Sequence, residues 1–346
     1  MSITLVSLTV IVASIMMVTY FISAPVYKGP VAGNFDGKRF INPGGVKAKG
    51  FPDVLKWMSQ RKRGKWEQNL SAAYGEKPPA QVERGPRITF VNHSTFLIQV
   101  DGLNILTDPV WSERTSPFTF IGPKRMRPPG IRFEDLPRID VVLLSHNHYD
   151  HLDIRTLVKL NDRFHPAFIQ PLGVGKYLEE SGIATKRDLD WWTHTAIPNG
   201  ITVEAVPAQH FSGRGTFDRD ATLWCGYVIV RKEGNIYFAG DTGYNPTTFK
   251  EIGKKFTPQL SIIPIGAYKP EWFMAPIHCS PQEAVQIHID LGTRQSVASH
   301  FGTFPLADDG FSDPVENLKI ALNERGIPEE SFVALEEGSA RDFDFA

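Results

Sequence analysis

The apolar run Ile139-Asp140-Val141-Val142-Leu143-Leu144 leads straight into Ser145-His146-Asn147-His148-Tyr149-Asp150-His151-Leu152-Asp153. Three imidazoles and a carboxylate thus fall within six positions, directly after a run that reads as a buried strand. In an extended chain, residues two apart share a side, so His146 and His148 can grip one ion together. Asp150 and His151 lie past the turn, within reach of a second ion. Imidazole and carboxylate suit borderline cations such as zinc, and no cysteine lies nearby to make a thiolate structural site. Two ions need more ligands than one motif supplies, so other strands must end at the same place.

At 346 residues the chain is long enough for one large α/β domain with an extension. A net charge of −1 makes no electrostatic case for nucleic acid as a partner. The two cysteines, Cys225 and Cys279, form no disulfide framework, and Cys225 reads as a small buried residue. The first 27 residues carry no charge, and 3–22 offer about the 20 apolar-leaning residues that cross a bilayer as a helix. A cleaved signal peptide is disfavoured, because no basic residue precedes the apolar stretch and bulky Ile22 precedes the small pair Ser23-Ala24. The reading is a retained single-pass anchor over 1–27. Lys28, Lys38, Arg39, Lys47 and Lys49 follow it, which puts the rest of the chain on the cytoplasmic side.

Residues 28–84, rich in Gly, Pro, Lys and Arg, read as a linker and an arm packed on the main domain, with a helix near 52–68. A hairpin is expected with one arm over 88–100, a turn at Asp101-Gly102 and a second arm over 103–107. Further strands are expected at 141–144, 167–170, 201–206, 223–230, 236–239, 260–264 and 296–299. A helix begins with Ser280 as its N-cap, Pro281 fitting the first turn and Glu283 completing a capping box, and ends at Gly292. Another runs over 314–325. Strands interspersed with helices indicate a layered α/β architecture.

Three further strand ends carry suitable ligands: His210 after Ala205-Val206-Pro207, Asp241 after Tyr237-Phe238-Ala239-Gly240, and His300 after Val297-Ala298-Ser299. Gly240 and Gly243 let the backbone turn sharply around Asp241, whose two oxygens can bridge two ions. This series resembles the metallo-β-lactamase superfamily of binuclear metallohydrolases. The segments Gly122-Pro123-Lys124-Arg125, Pro264-Ile265-Gly266-Ala267-Tyr268, Trp272-Phe273-Met274 and His300-Phe301-Gly302-Thr303-Phe304 make it similar, more narrowly, to the phospholipases D that hydrolyse N-acyl-phosphatidylethanolamine. The likeness covers about residues 86–326.

The resemblance implies a four-layer αβ/βα sandwich; the catalytic domain is read at 85–346, and the transmembrane helix before it rests on the apolar stretch alone. It implies two zinc ions, one held by His146, His148 and His210, the other by Asp150, His151 and His300, with Asp241 bridging. Water activated by the ions would attack phosphorus. Asp150, Asp241 and His278 are the catalytic candidates; His278 either meets the phosphate and the leaving alkoxide or packs on the helix that follows it. Tyr149, Trp272, Phe273 and Met274 are candidates for substrate contact, the last three forming either an acyl-binding or bilayer surface or part of the core. Lys269, Glu271 and 275–277 depart from the family pattern near the substrate mouth. His93 is a support and not a ligand, His288 reads as a plain surface or partly buried residue of its helix, and His165 and His194 are structural.

The expected activity is release of N-acylethanolamine and phosphatidic acid, with a phospholipid and the membrane as partners and a homodimer left open. The alternatives are a lactonase or other ester or amide hydrolase on the same ions, and a non-catalytic membrane-tethered metal-binding regulator. A nuclease is disfavoured by the charge balance. A di-iron oxygenase is disfavoured by His148, which stands where such relatives often place a carboxylate.

Overall fold

The computed structural model describes residues 14, 16–185 and 187–345. Among them, two seven-stranded mixed sheets lie face to face. The first contains β1 (Arg87–Asn92), β2 (Thr95–Val100), β3 (Leu103–Thr107), β4 (Val141–Leu143), β5 (Ala167–Pro171) and β6 (Asp188–Leu189) in chain order, with β14 (Ala340–Asp342) beside β1. The second runs from β7 (His194–Ala196) through β8 (Thr202–Val206), β9 (Gly226–Val230), β10 (Ile236–Phe238), β11 (Leu260–Pro264) and β12 (Gln295–Ser299) to β13 (Phe332–Val333). Pairing is antiparallel from β1 to β3 and from β7 to β10. It is parallel from β3 to β6 and from β10 to β13.

Period-two alternation along the strands explains the layers. Tyr227 and Ile229 of β9, and Ile236 and Phe238 of β10, point between the sheets, where they meet Phe90, Phe96 and Ile98. Their neighbours Val228 and Tyr237 point outward and pack under Phe249 and Ile252 of a helix over Pro246–Phe256, and under Val285 and Ile287 of a helix over Pro281–Leu291. On the other side, Val142 and Leu144 pack under Leu157 and Leu160 of a helix over Ile154–Phe164. Helix, sheet, sheet and helix make the four-layer sandwich implied by the resemblance.

Several local expectations are corrected. The arm expected over 88–100 is two strands, because His93 adopts a left-handed conformation (φ 48°) and turns β1 back onto β2. Near 52–68 the helix α1 is only Phe51–Gln60; beyond it, Arg61 and the Lys62 N–H bind Asp308, and Gly64 lies against the backbone of Gly310, so no helical turn fits. His288 is buried, its Nδ1 2.9 Å from Ser296 Oγ. The expected span over 3–22 falls mostly outside the described residues. Residues 16–22 are helical, after which the Ala24 N–H donates to Asp218 Oδ2 at 2.8 Å and ties the chain to the domain. No helix among the described residues is long and apolar enough to cross a membrane.

Tyr227 joins the two sheets. It is fully buried, and its hydroxyl donates to the carbonyl of Leu144 at 2.8 Å, where β4 passes into the histidine loop. Tyr227→Phe removes that donor in a dry place and is expected to cost about 1–3 kcal/mol of unfolding free energy. Denaturant titration checks this; an unchanged midpoint would mean that the contact contributes nothing.

Candidate metal centre

Every element that feeds the site ends at one edge of the sandwich. The β4 strand ends at Leu143, and the loop that follows makes a tight turn, with the N–H groups of His151 and Leu152 both donating to the carbonyl of His148. That turn carries His146, His148, Asp150 and His151. His210 follows β8, Asp241 follows β10 and His300 follows β12. Gly240 holds φ +61°, and a Cβ there would come within 2.6 Å of the Ser145 side chain. A Cβ on Gly266 would come within 2.0 Å of the His300 carbonyl. Both glycines are therefore demanded by backbones that approach closely at the ligand-bearing ends.

The other six residues gather around Asp241. Its Oδ2 lies 3.1 Å from both His151 Nε2 and His300 Nε2, 3.8 Å from His210 Nε2 and 3.9 Å from His146 Nε2. His148 Nδ1 stands 2.8 Å from His146 Nε2 and 3.2 Å from His210 Nε2. On the other side, Asp150 Oδ2 is 3.5 Å from the Nε2 atoms of both His151 and His300. Bonds of roughly 2.0–2.1 Å to a tetrahedral ion set neighbouring ligand atoms roughly 3.3 Å apart. The buried Nε2 atoms of His151 and His300 and Oδ1 of Asp241 have no hydrogen-bond partner in the protein. Polar atoms so placed need a ligand, and this donor set fits cations of the zinc type.

Electrostatics divides the cluster into two halves. Burial, reinforced by neighbouring imidazoles, pushes His146 and His210 well below the usual histidine range. Burial also takes His148 down to about 3. These three present lone pairs. Burial opposes charge on His151 and His300 as well, but Asp241 and Asp150 outweigh it; His151 is held well above its ordinary value and His300 is raised to about 9. Both carboxylates are correspondingly held well below theirs by His151 and His300. A cation bound there takes the place of those protons.

Two supports come from residues around the cluster. Asp108, fully buried after β3, accepts from the Ser145 N–H and hydroxyl and stands 2.7 Å from His151 Nδ1, so it fixes which nitrogen of His151 faces the centre. Sequence reading passes over it. Its only signal is an acid closing an apolar strand in Leu106-Thr107-Asp108-Pro109. His93, expected as a support, holds Asp150 Oδ2 through Nε2 at 3.0 Å, while its carbonyl accepts from the His300 N–H. The arm also contributes: Asn42 accepts from the His210 N–H and donates to the His210 carbonyl.

The remaining candidates separate. His278 Nδ1 lies 4.0 Å from Asp241 Oδ2, and burial lowers its pKa to about 4, so the ring is neutral. It opens onto a cavity of about 280 Å³ shared with Tyr268, Glu271 and Ala275. Phe273 and Met274 are packed as a wall, whereas Trp272 reaches solvent. Tyr149 turns away, its hydroxyl donating to the Arg214 carbonyl and its ring stacked under the Arg214 guanidinium. Arg214 in turn donates to the carbonyls of Asn147 and Leu152 and so braces the histidine loop.

Comparison with known proteins agrees with this geometry. The chain matches the β-lactamase superfamily domain over residues 103–301. It is 38% identical over 270 residues to the N-acyl-phosphatidylethanolamine-hydrolyzing phospholipase D 1 of Caenorhabditis elegans, covering 74% of this chain and 75% of that one. It is 34% identical over 250 residues to the mitochondrial N-acyl-phosphatidylethanolamine-hydrolyzing phospholipase D of Saccharomyces cerevisiae, covering 70% of this chain and 53% of that one. The fold is shared with Igni18, a metallo hydrolase of Ignicoccus hospitalis, with a TM-score of 0.59 at 22% identity over 76% of this chain and all of the other.

Two outcomes are expected for metal binding. Asp108→Ala should weaken metal affinity about 10–100-fold, read by competition with a chelator, while thermal unfolding stays cooperative. Zinc added to metal-free protein at neutral pH should displace protons from His151 and His300, so affinity should rise with pH up to about 9. Binding heats measured in buffers of different ionisation enthalpy test this, and heats independent of the buffer would contradict it.

Proposed function

The chain belongs to the β-lactamase superfamily, and from that membership we propose that it is a zinc-dependent phosphodiesterase of phospholipase D type, hydrolysing N-acyl-phosphatidylethanolamine to N-acylethanolamine and phosphatidic acid. The observation that carries the reading is the convergence of His146, His148, Asp150, His151, His210 and His300 around Asp241, in a chain whose worm and yeast relatives bear that activity in their names. One zinc would sit with His146, His148 and His210, the other with Asp150, His151 and His300, and Asp241 would serve both. Ions so held would lower the pKa of bound water and stabilise charge building on phosphoryl oxygens.

The side chains do the rest. Asp108 and His93 keep His151 and Asp150 aimed at the centre. His278, neutral and beside the cavity with Tyr268 and Glu271, is placed to donate a hydrogen bond to a phosphoryl oxygen. In the reaction, oxygen from water joins phosphorus and the bond from phosphorus to the ethanolamine oxygen breaks, the leaving alkoxide taking up a proton. In this reading residues 1–27 anchor the chain in a membrane, 28–84 form the arm, and 85–346 form the hydrolytic domain on the cytoplasmic side.

Hydrolysis of N-acyl-phosphatidylethanolamine by zinc-loaded protein in mixed micelles, with products read by mass, tests the assignment. N-acylethanolamine should form, and Asp241→Asn should abolish its formation. His278→Ala should lower turnover about 10²–10³-fold while leaving the metal content in place. Opening of a simple lactone without phosphodiester cleavage would keep the metal centre and overturn the lipid assignment.

A further inference from the structure

The helix α1 has two apolar sides where a helix on a protein surface ordinarily has one. Val54 and Trp57 face inward, and the Trp57 ring stacks on Phe273 at 5.0 Å, in a cluster with Met274 and Ile277, the residue before His278. Phe51, Leu55 and Met58, spaced at one turn and then nearly another, face out and are 72%, 52% and 62% exposed. Beside this stripe stands Trp272, 39% exposed, with the Lys56 ammonium 4.7 Å above its ring. Charge around the stripe is one-sided. Residues 28–65 hold ten Lys and Arg against only Asp36 and Asp53, a net +8 in a chain whose total is −1. Lys47, Lys56, Lys62, Arg63 and Lys65 are exposed, while Arg61 is compensated by Asp308.

We propose that the exposed face of α1, with Trp272, docks on the surface of an anionic lipid bilayer and sets the mouth of the metal site against it; the inference deepens the lipid-hydrolase reading and rests on it. An apolar stripe flanked by Lys and Arg binds such a surface by burying its side chains at the headgroup level, while the cations meet anionic headgroups. Phe21 and Ile22, near the end of the uncharged first 27 residues, share a small cavity with Tyr149 of the histidine loop. Residues before 23 would then fasten the chain to the membrane, and α1 would orient it.

The two native cysteines are buried, so Leu55→Cys can be labelled selectively with an environment-sensitive fluorophore. The full chain carrying this label is reconstituted in vesicles of phosphatidylcholine, with or without phosphatidylserine, whose acyl chains are brominated. Quenching of the label in the anionic vesicles, weakened by salt and by omission of phosphatidylserine, is expected. A label that stays unquenched in anionic vesicles overturns the proposal. So does a label shielded without quenching as protein concentration rises, which would make the face a contact between copies. The triple variant Phe51→Glu, Leu55→Glu, Met58→Glu should lose at least about tenfold of its hydrolysis in anionic vesicles and keep its rate in detergent micelles. Equal loss in both media would mean that the stripe serves the fold or the site and not the membrane. Quenching reads docking without turnover, so a protein that docks but leaves N-acyl-phosphatidylethanolamine intact would fail the functional reading alone.

Discussion

Asp241 is a carboxylate almost without solvent contact, and four imidazole nitrogens approach one of its oxygens within 3.9 Å. Burying a charge is expensive unless it is paired, and burying several imidazoles leaves each one needing a partner. Much of the architecture answers this cost. His146 and His210, at 3.9 and 3.8 Å from Asp241, are pushed toward the neutral form by burial, whereas His151 and His300, each 3.1 Å from Asp241 and also beside Asp150, are held in the charged one. A cation of the zinc type satisfies both halves, since it needs lone pairs from the first and displaces protons from the second.

Holding that arrangement requires rigid supports, and they are drawn from distant parts of the chain. Asp108 comes from the end of β3, His93 from the turn between β1 and β2, Asn42 from the arm, and Arg214 from the loop after His210. Each binds either a ligand side chain or the backbone that carries one. Tyr227 reaches from the second sheet to the carbonyl at the root of the histidine loop, so the packing of the two sheets and the aim of the loop are mechanically linked. The sandwich is therefore more than a platform, because its interior contacts and the ligand geometry share residues.

The arm makes the same point from outside. Its buried Phe35 and Phe40 pack with Trp224, and Asn42 completes hydrogen bonds to both the His210 backbone and the Trp224 indole. Its helix α1 packs Val54 and Trp57 on the cluster of Phe273, Met274 and Ile277 that precedes His278, and leaves an apolar stripe outside. A segment that composition alone marks as a basic linker thus supplies core packing, a hydrogen-bonded support and the proposed contact with lipid.

The candidate ligand residues could be picked from the amino-acid order because metal chemistry restricts the choice severely. Few side chains bind such a cation, and His146, His148, Asp150, His151, His210, Asp241 and His300 each follow an apolar strand. Strand periodicity and the capping box at Ser280 were legible for a similar reason, since local hydrogen bonding and alternation leave a short-range mark. The turn at His93 left no such mark, because Asn92-His93-Ser94-Thr95 is compatible with an unbroken strand until β1 and β2 pair. Asp108, Asn42 and Arg214 were hidden because a buried polar residue reveals its purpose only when its partners, tens to more than a hundred positions away, are brought to it. The chain's order determined which atoms can bind metal and on which strands they ride. Tertiary structure decided how they are aimed, which imidazoles carry protons, and which face of α1 is left to the solvent, because those depend on distances and burial that exist only once the two sheets have closed.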